Sequence, residues 1–266
     1  AIKTIREAVL AMCSGTGDEK AALALDISYE EGSEKPAYVE GSFLPMVSYI
    51  DAHHTTTRQS VALPEQAFVM ASFGNSYKIT PEIFASWMRL LKRIPEAVLW
   101  LIDDNAVGTR NLRQEALQAG VALDRIVFMP RVAHNEFCAR LKLADVYLDT
   151  FPYNCGSTSN DVIAAGLTLV TRYGRTMVSR MGLSLLSAVQ APQTAVSTQQ
   201  DYEDKVLEVY LKKKAGATTV AYRCDVPLNP EPALEQIMGN ILLPELSAGQ
   251  AIQAKPQARV RLPRSA

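Results

Sequence analysis

The chain has 266 residues, of which 27 are basic, 28 are acidic and 48% are hydrophobic, and its formal net charge is −1. This balance gives no general electrostatic basis for binding nucleic acid or a membrane surface, and no apolar run approaches the roughly 20 residues of a membrane-spanning helix. The four scattered cysteines form no CxxC pair and no signal-peptide pattern begins the chain, so we expect a cytoplasmic protein without a zinc site or a disulfide framework.

Short apolar runs alternate with helical patterns between about residues 67 and 214. Residues 67–73 predict a strand, Thr80 then caps a helix that starts with Pro81, and the apolar run 97–102 predicts a strand covered on both faces. The later elements, in chain order, are helix 110–119, strand 125–129, helix 135–143, strand 146–148, helix 157–165, strand 167–171, helix 178–189 and helix 202–212. This alternation predicts the α/β class, with a doubly wound parallel sheet in a Rossmann-like domain.

The two flanks do not continue the alternation. Residues 1–60 hold one amphipathic helix, a Gly- and acid-rich stretch at 15–34 and a strand at about 37–43, and we interpret them as a lead-in segment. Residues 61–215 are the predicted Rossmann-like domain. Residues 216–266 contain a predicted last helix at 230–243 and, from residue 247, a tail rich in Ala, Gln, Pro and Arg that we expect to be disordered.

The most informative segment is 148–161, which joins the end of a predicted strand to the start of a helix. Ligands of open parallel sheets bind at the carboxyl ends of the strands. Gly156 lets the backbone approach a ligand closely, and Ser157 and Thr158 place hydroxyls beside unpaired helix N–H groups, which suits a phosphate. Asp161 could accept hydrogen bonds from ribose hydroxyls. The alternative is purely structural: Ser157 caps the helix and Asp161 is a favourable acid near its start.

Other basic residues offer weaker signals. Lys78 follows the first predicted strand, where it could neutralise a diphosphate or could equally be a solvated loop lysine. Arg140 could pair with a phosphate and Phe137 could pack on a base, or they could be a surface arginine and a core phenylalanine. Arg180 is a further phosphate candidate of lower weight.

The sequence predicts no metal site. Asp103 and Asp104 form an acidic pair at a strand end, but no third ligand is evident. His53 and His54 are adjacent and therefore point to different sides. The signatures G-x-S-x-G, G-x-G-x-x-G and the Walker loop are absent, which argues against the corresponding hydrolases, dinucleotide-binding proteins and P-loop enzymes.

Several long motifs in one order resemble the catalytic region of the O-linked N-acetylglucosamine transferase and SPINDLY family, most closely its bacterial members. The motifs are residues 73–78, 87–95, 98–101, 125–128, 143–146 and 148–161, and the resemblance covers residues 63–207. It implies the C-terminal, donor-binding half of a GT-B glycosyltransferase. It also implies an inverting, metal- and cofactor-independent transfer of N-acetylglucosamine, or another hexose, from a nucleotide sugar such as UDP-N-acetylglucosamine to protein Ser or Thr.

The resemblance assigns roles to individual residues. Lys78 matches the lysine that contacts the donor diphosphate and is the expected catalytic residue, and Asn75 falls where a polar side chain reaches the phosphates or sugar. Ser157 and Thr158 match hydroxyls at the diphosphate-binding helix start, and Asp161 matches the ribose-binding acid. The remaining expected donor-site residues lie at or beside the base, or at the start of the diphosphate-binding helix: Val132, His134, Phe137, Arg140 and Gly156.

The sequence also departs from the family pattern. Gly156 stands where the family often has a His, and Phe137, which can stack on a base, cannot hydrogen-bond to it. Residues 1–60 are too short for an N-terminal Rossmann-like domain, and no tetratricopeptide repeats are present. We therefore expect a donor-side half that binds a nucleotide sugar and a protein acceptor and that needs a missing N-terminal domain or a partner chain. The alternative is a non-catalytic nucleotide-sugar-binding or protein-interaction module.

Overall fold

A computed structural model describes residues 54–217 together with Ser42, Leu44, Tyr222 and Glu235. The helix predicted near the N-terminus, most of the strand at 37–43, most of the helix at 230–243 and the predicted disordered tail lie outside the described residues. None of the helices in the described part of the chain is both long and apolar enough to cross a membrane.

Within residues 54–217, strands and α-helices alternate from start to end. The strands are β1 (Phe68–Ser72), β2 (Ala97–Asp103), β3 (Ile126–Pro130), β4 (Val146–Leu148), β5 (Leu169–Arg172) and β6 (Ala195–Val196). The helices are α1 (Pro81–Arg93), α2 (Ala106–Gln118), α3 (His134–Leu141), α4 (Ser157–Ala164), α5 (Met181–Ala188) and α6 (Gln199–Lys214). The predicted α/β class is confirmed.

All six strands lie in one parallel sheet with the order β3-β2-β1-β4-β5-β6. The chain builds outward from β1 to β3, and then returns to the centre to place β4 beside β1. Such a reversal of strand order opens a crevice at the carboxyl ends of the two central strands, where ligands of this architecture bind. The loops that follow β1 and β4 are therefore the loops that bound the candidate site.

The sheet is covered on both faces, which explains why its strands are mostly apolar. Successive residues of β1 point to opposite sides: Phe68 and Met70 belong to one apolar cluster, and Val69 and Ala71 belong to the other. Trp87 of α1, a fully buried member of the first cluster, donates to the Tyr202 hydroxyl at 3.2 Å. That hydroxyl in turn donates to the backbone carbonyl of the residue after β4 at 3.1 Å, so the core directly supports the crevice.

Several predicted boundaries differ from the structure for local reasons. The helix predicted at 110–119 begins at Ala106, because the Asn105 side chain accepts two backbone N–H groups and caps it despite Gly108. The helix predicted at 178–189 starts later, at Met181, after a separate 3-10 turn. The helix predicted at 202–212 starts at Gln199, with Thr198 as its cap. The two-residue strand β6 was not predicted, because so short a run carries no periodicity.

Candidate functional site

The loops after β1 and β4 meet at Lys78. This residue ends a single 3-10 turn after β1, and its ammonium group donates to the backbone carbonyl of Asn154 at 3.0 Å. The same nitrogen lies 3.8 Å above the centroid of the Tyr153 ring, a cation–π arrangement. The structure thus brings Lys78 to the segment immediately before α4, as the expected pairing of these two motifs requires.

The start of α4 is open to a ligand. The N-cap residue is Gly156, and no side chain caps the helix, so the alternative in which Ser157 caps it is wrong. Ser157 and Thr158 are the first two helical residues, where backbone N–H groups have no intrahelical acceptor. A Cβ atom built on Gly156 would meet no atom within 4 Å, which means that space remains above the helix start. Uncapped N–H groups and the helix dipole together favour an anion there.

A buried carboxyl group fixes the loop between β4 and α4. Asp149 is 1% exposed and accepts hydrogen bonds from the backbone N–H of Thr150 at 2.8 Å and of Cys155 at 2.7 Å. Its second oxygen accepts from the Thr171 hydroxyl at 2.6 Å. Burial raises the pKa of Asp149 to about 6. Sequence reasoning missed this residue, although an acid directly after a strand and before Thr150 is typical of a turn-forming side chain.

Asn154 completes this loop from the inside. It is fully buried, and its amide nitrogen donates to the carbonyls of Thr150 at 2.8 Å and Arg172 at 3.1 Å. The loop that carries the Lys78 acceptor is therefore tied to β5 as well as to itself. A rigid loop of this kind holds the backbone N–H groups of α4 in one position before any ligand arrives.

Further along α4, the side chain of Asp161 meets those of His134 and Cys138 from α3. The Asp161 carboxylate lies 3.0 Å from the His134 imidazole, and the Cys138 sulfur lies 3.5 Å from the same ring nitrogen, Nε2. The His134 ring also stacks on Phe137, with centroids 6.5 Å apart and planes 26° from parallel. Burial, reinforced by the nearby Asp161 carboxylate, raises the pKa of Cys138 to about 11.

Phe137 combines both alternatives considered from the sequence. Its ring is half-buried and packs edge-on against Phe73 at 5.7 Å, so it is part of the core. Its other neighbour is the exposed His134 ring, so it also borders the crevice. Val132 is partly exposed in the connection between β3 and α3.

A polar cluster bounds the outer side of the loop after β1. The Asn75 amide donates to the Tyr77 hydroxyl at 3.2 Å, and its oxygen accepts from Arg131. Arg131 also lies 3.8 Å from Asp104, whose carboxylate accepts the Ser76 backbone N–H at 3.0 Å. Asp104 therefore anchors a loop. Arg131 adds a positive charge that sequence reasoning missed, and its place just after β3 is the signal that could have found it.

Arg140 is already occupied within its own helix. Its Nε donates to Glu136 at 2.7 Å, Glu136 also contacts His54 at 2.5 Å, and only 14% of the Arg140 side chain is exposed. The hydrogen bonds from His54 and Arg140 lower the pKa of Glu136. The structure thus joins Lys78 to the loop that leads to α4 and joins His134 to Asp161, whereas the Arg140 guanidinium serves an ion pair.

Comparison with known proteins places these features in a wider context. The model of the family described as glycosyl transferase family 41 matches residues 48–218. The probable UDP-N-acetylglucosamine–peptide N-acetylglucosaminyltransferase SEC of Arabidopsis thaliana is 34% identical over 165 residues, which are 62% of this chain and 17% of that protein. The Caenorhabditis elegans UDP-N-acetylglucosamine–peptide N-acetylglucosaminyltransferase is 33% identical over 147 residues, which are 55% of this chain and 13% of that protein.

A solved structure shares the fold. The Thermobaculum terrenum O-GlcNAc transferase, in a K341M mutant form, superposes with a TM-score of 0.61 at 23% sequence identity, over 78% of this chain and 42% of that one. At this level of identity the likeness concerns the fold. The chain spans less than a fifth of the length of the two curated relatives described above.

Proposed function

Because the chain belongs to glycosyl transferase family 41, we propose that it is the donor-binding domain of a glycosyltransferase that uses a nucleoside diphosphate sugar. UDP-N-acetylglucosamine is the expected donor, and the Ser or Thr hydroxyl of a protein is the expected acceptor. One observation carries the proposal: the Lys78 ammonium lies at the segment that leads into the uncapped start of α4, 3.0 Å from the Asn154 carbonyl. We infer from this contact that the positive charge and the backbone N–H donors of α4 serve the same ligand.

The diphosphate would lie between Lys78 and the first turn of α4. The N–H groups of that turn and the hydroxyls of Ser157 and Thr158 would hydrogen-bond to one phosphate, and the lysine would neutralise the other. Negative charge accumulates on the leaving diphosphate as the sugar–phosphate bond breaks. Fixed donors aimed at this charge lower the barrier by several kcal/mol in enzymes generally, and Lys78 would be the catalytic residue in that sense.

The nucleoside would extend from the diphosphate along α4 towards α3. Asp161 is the acceptor for ribose hydroxyls, and His134 and Phe137 present ring faces on which a base could pack. Val132 borders the same end. The Arg140 guanidinium is held by Glu136, so we assign it to the support of α3, while Asn75 and Arg131 close the outer edge near the donor sugar.

The acceptor side would come from outside residues 61–215, either from an N-terminal Rossmann-like domain or from a partner chain. No metal or cofactor enters the proposed displacement, and a cytoplasmic location remains our expectation. On this proposal the matched region is the donor half of a two-domain arrangement, so the isolated chain would bind the donor even where it cannot transfer the sugar.

Calorimetric titration tests the proposal with three ligands that differ in the number of phosphates: uridine diphosphate, uridine monophosphate and uridine. Uridine diphosphate should bind at least tenfold more tightly than uridine monophosphate, and uridine should bind most weakly, because only the diphosphate reaches both Lys78 and α4. Equal affinity for all three would contradict a diphosphate site. Hydrolysis of UDP-N-acetylglucosamine, or glycosylation of a Ser/Thr peptide, would show catalytic competence, and donor binding without either reaction would favour a non-catalytic binding module.

A further inference from the structure

The side chains of His134, Cys138 and Asp161 form a constellation that the proposed function does not use as a unit. Their potential ligand atoms, one nitrogen, one sulfur and one oxygen, all lie within 4.8 Å of one another. His134 and Cys138 are four positions apart on α3, so they share one face of that helix. Asp161 comes from α4, which packs beside it. We propose that these three residues bind a divalent metal ion of the Zn²⁺ class.

Two of the three distances between ligand atoms are close to those of tetrahedral zinc. Zinc binds His nitrogen and carboxylate oxygen at about 2.0 Å and Cys sulfur at about 2.3 Å, so ligand atoms stand about 3.3–3.6 Å apart around it. Here the nitrogen–oxygen distance between His134 and Asp161 is 3.0 Å, and the nitrogen–sulfur distance between His134 and Cys138 is 3.5 Å. A separation of a few tenths of an ångström between the two side chains admits the ion.

The ligand chemistry selects the class of metal. A thiolate is a soft ligand and an imidazole an intermediate one, a combination that suits zinc and disfavours magnesium and calcium. Three protein ligands leave one coordination position open, to be filled by water. Binding converts the Cys138 thiol to a thiolate and releases its proton to solvent.

The site is prearranged yet reachable. Cys138 is completely buried and Asp161 is 9% exposed, so the packing of α3 against α4 fixes both. The His134 side chain is 61% exposed and provides the entry path. Cys155, the other cysteine in the described part of the chain, is also buried but belongs to the Asp149 loop, so it serves as a control.

The metal has a consequence for the donor site, and this step rests on the proposed function. Asp161 is the proposed acceptor for the ribose hydroxyls. Zinc bound through Oδ1, the oxygen that contacts His134, leaves Oδ2 but withdraws negative charge from the carboxylate, and the ion with its water ligand lies where the ribose would approach. His134, the proposed neighbour of the base, becomes a ligand of the ion in the same event. Zinc and the nucleotide therefore exclude each other, which makes the cluster an inhibitory metal site.

Cobalt titration of the full chain tests the site without any nucleotide. Co²⁺ in a tetrahedral site with a thiolate ligand gives intense visible bands and a sulfur-to-metal charge-transfer band. We expect these bands to saturate at one equivalent of Co²⁺ in the unmodified chain, in Cys155→Ser and in the double variant Cys13→Ser/Cys224→Ser. The charge-transfer band should vanish in Cys138→Ser, and His134→Ala, at an exposed position that folding tolerates, should weaken cobalt binding at least tenfold. Bands that persist unchanged in both variants would overturn the site.

A second titration tests the exclusion. Saturating Zn²⁺ should weaken the binding of uridine diphosphate at least tenfold in the unmodified chain and have no effect on its binding to Cys138→Ser. The variant is measured under the same conditions, so it corrects for zinc that binds to the nucleotide itself. The same nucleotide affinity with and without zinc would overturn the exclusion. Absence of nucleotide binding to the metal-free chain would count against the proposed function alone, because the cobalt experiment does not depend on it.

Discussion

The Lys78 ammonium donates a hydrogen bond of 3.0 Å to the carbonyl oxygen of Asn154, and this contact joins the loop after β1 to the loop before α4. Its other close neighbour is the Tyr153 ring, 3.8 Å away. In the part of the chain that the structure describes, the Lys78 ammonium has no ion pair with a carboxylate, so none of the described acidic residues neutralises its charge. An uncompensated ammonium beside an uncapped helix start is the electrostatic basis of the proposed diphosphate site.

Replacement of Lys78 by Ala should weaken the binding of uridine diphosphate at least tenfold and leave the binding of uridine almost unchanged. The lost contact is a charge-assisted hydrogen bond, worth about 1.5–3 kcal/mol, and it reaches only the phosphates. Calorimetric titration with both ligands measures the difference. Lys92→Ala, at an exposed position on α1, is the control and should bind both ligands as the unmodified chain does. A similar loss of affinity for uridine would mean that the effect of Lys78 does not depend on the phosphates, which would contradict the diphosphate contact.

Asp161 should contribute to affinity only when the ligand carries ribose hydroxyls. Asp161→Ala is therefore expected to weaken the binding of uridine diphosphate about tenfold. It should have little effect on the binding of the 2′,3′-dideoxy form, which lacks the hydroxyls that the carboxylate would accept from. Together the two proteins and two ligands make a double-mutant cycle, whose coupling energy isolates this contact. Asp124→Ala removes an exposed acid outside the crevice and serves as the control. A coupling energy of zero would contradict a contact between Asp161 and the ribose hydroxyls.

The fold was predictable because buried parallel strands leave a strong mark on the sequence. Residues 97–102 of β2 are all apolar, and Thr80 followed by Pro81 marks a helix start by local chemistry alone. The strand order was harder to predict from the sequence, because it depends on where the chain returns to pair β4 with β1. The helix start at Asn105 escaped prediction because Gly108 weakens the helical pattern there.

The candidate site was only partly predictable, for a different reason. The motifs around Lys78 and Ser157 are each contiguous in sequence, so their chemistry could be argued before their contact was known. The cluster of His134, Cys138 and Asp161 depends on how α3 packs against α4, and no sequence spacing reports that packing. Asp149 escaped notice because its partners are mostly backbone groups, which every residue possesses.

Gly182 in α5 should be sensitive to the smallest substitution. A Cβ atom there would lie 2.5 Å from the Thr171 hydroxyl and 2.9 Å from the Asp149 carboxylate, so Gly182→Ala should lower the free energy of unfolding by about 1–3 kcal/mol. The matched control is Gly108→Ala in α2, where the added carbon would make ordinary contacts at 3.4 Å with Ser76. That change should leave stability equal or up to about 1 kcal/mol higher. Urea unfolding measures both, and equal values for the two variants would contradict the close approach.

Asp149 should give the fold a pH dependence opposite to that of ordinary carboxylates. Burial raises its pKa to about 6 in the folded chain, against 3.8 for an unperturbed Asp. Between these values the folded chain binds this proton more strongly than the unfolded chain, so the contribution of Asp149 to the free energy of unfolding falls as pH rises and is lost above about 6. Asp149→Asn keeps an oxygen for the two backbone N–H groups but cannot ionise. The stability of the variant relative to the unmodified chain should therefore rise by roughly 2–3 kcal/mol from pH 4 to pH 7, as urea unfolding across that range would measure. A relative stability that falls over the same interval would mean that the buried loop prefers the charged carboxylate.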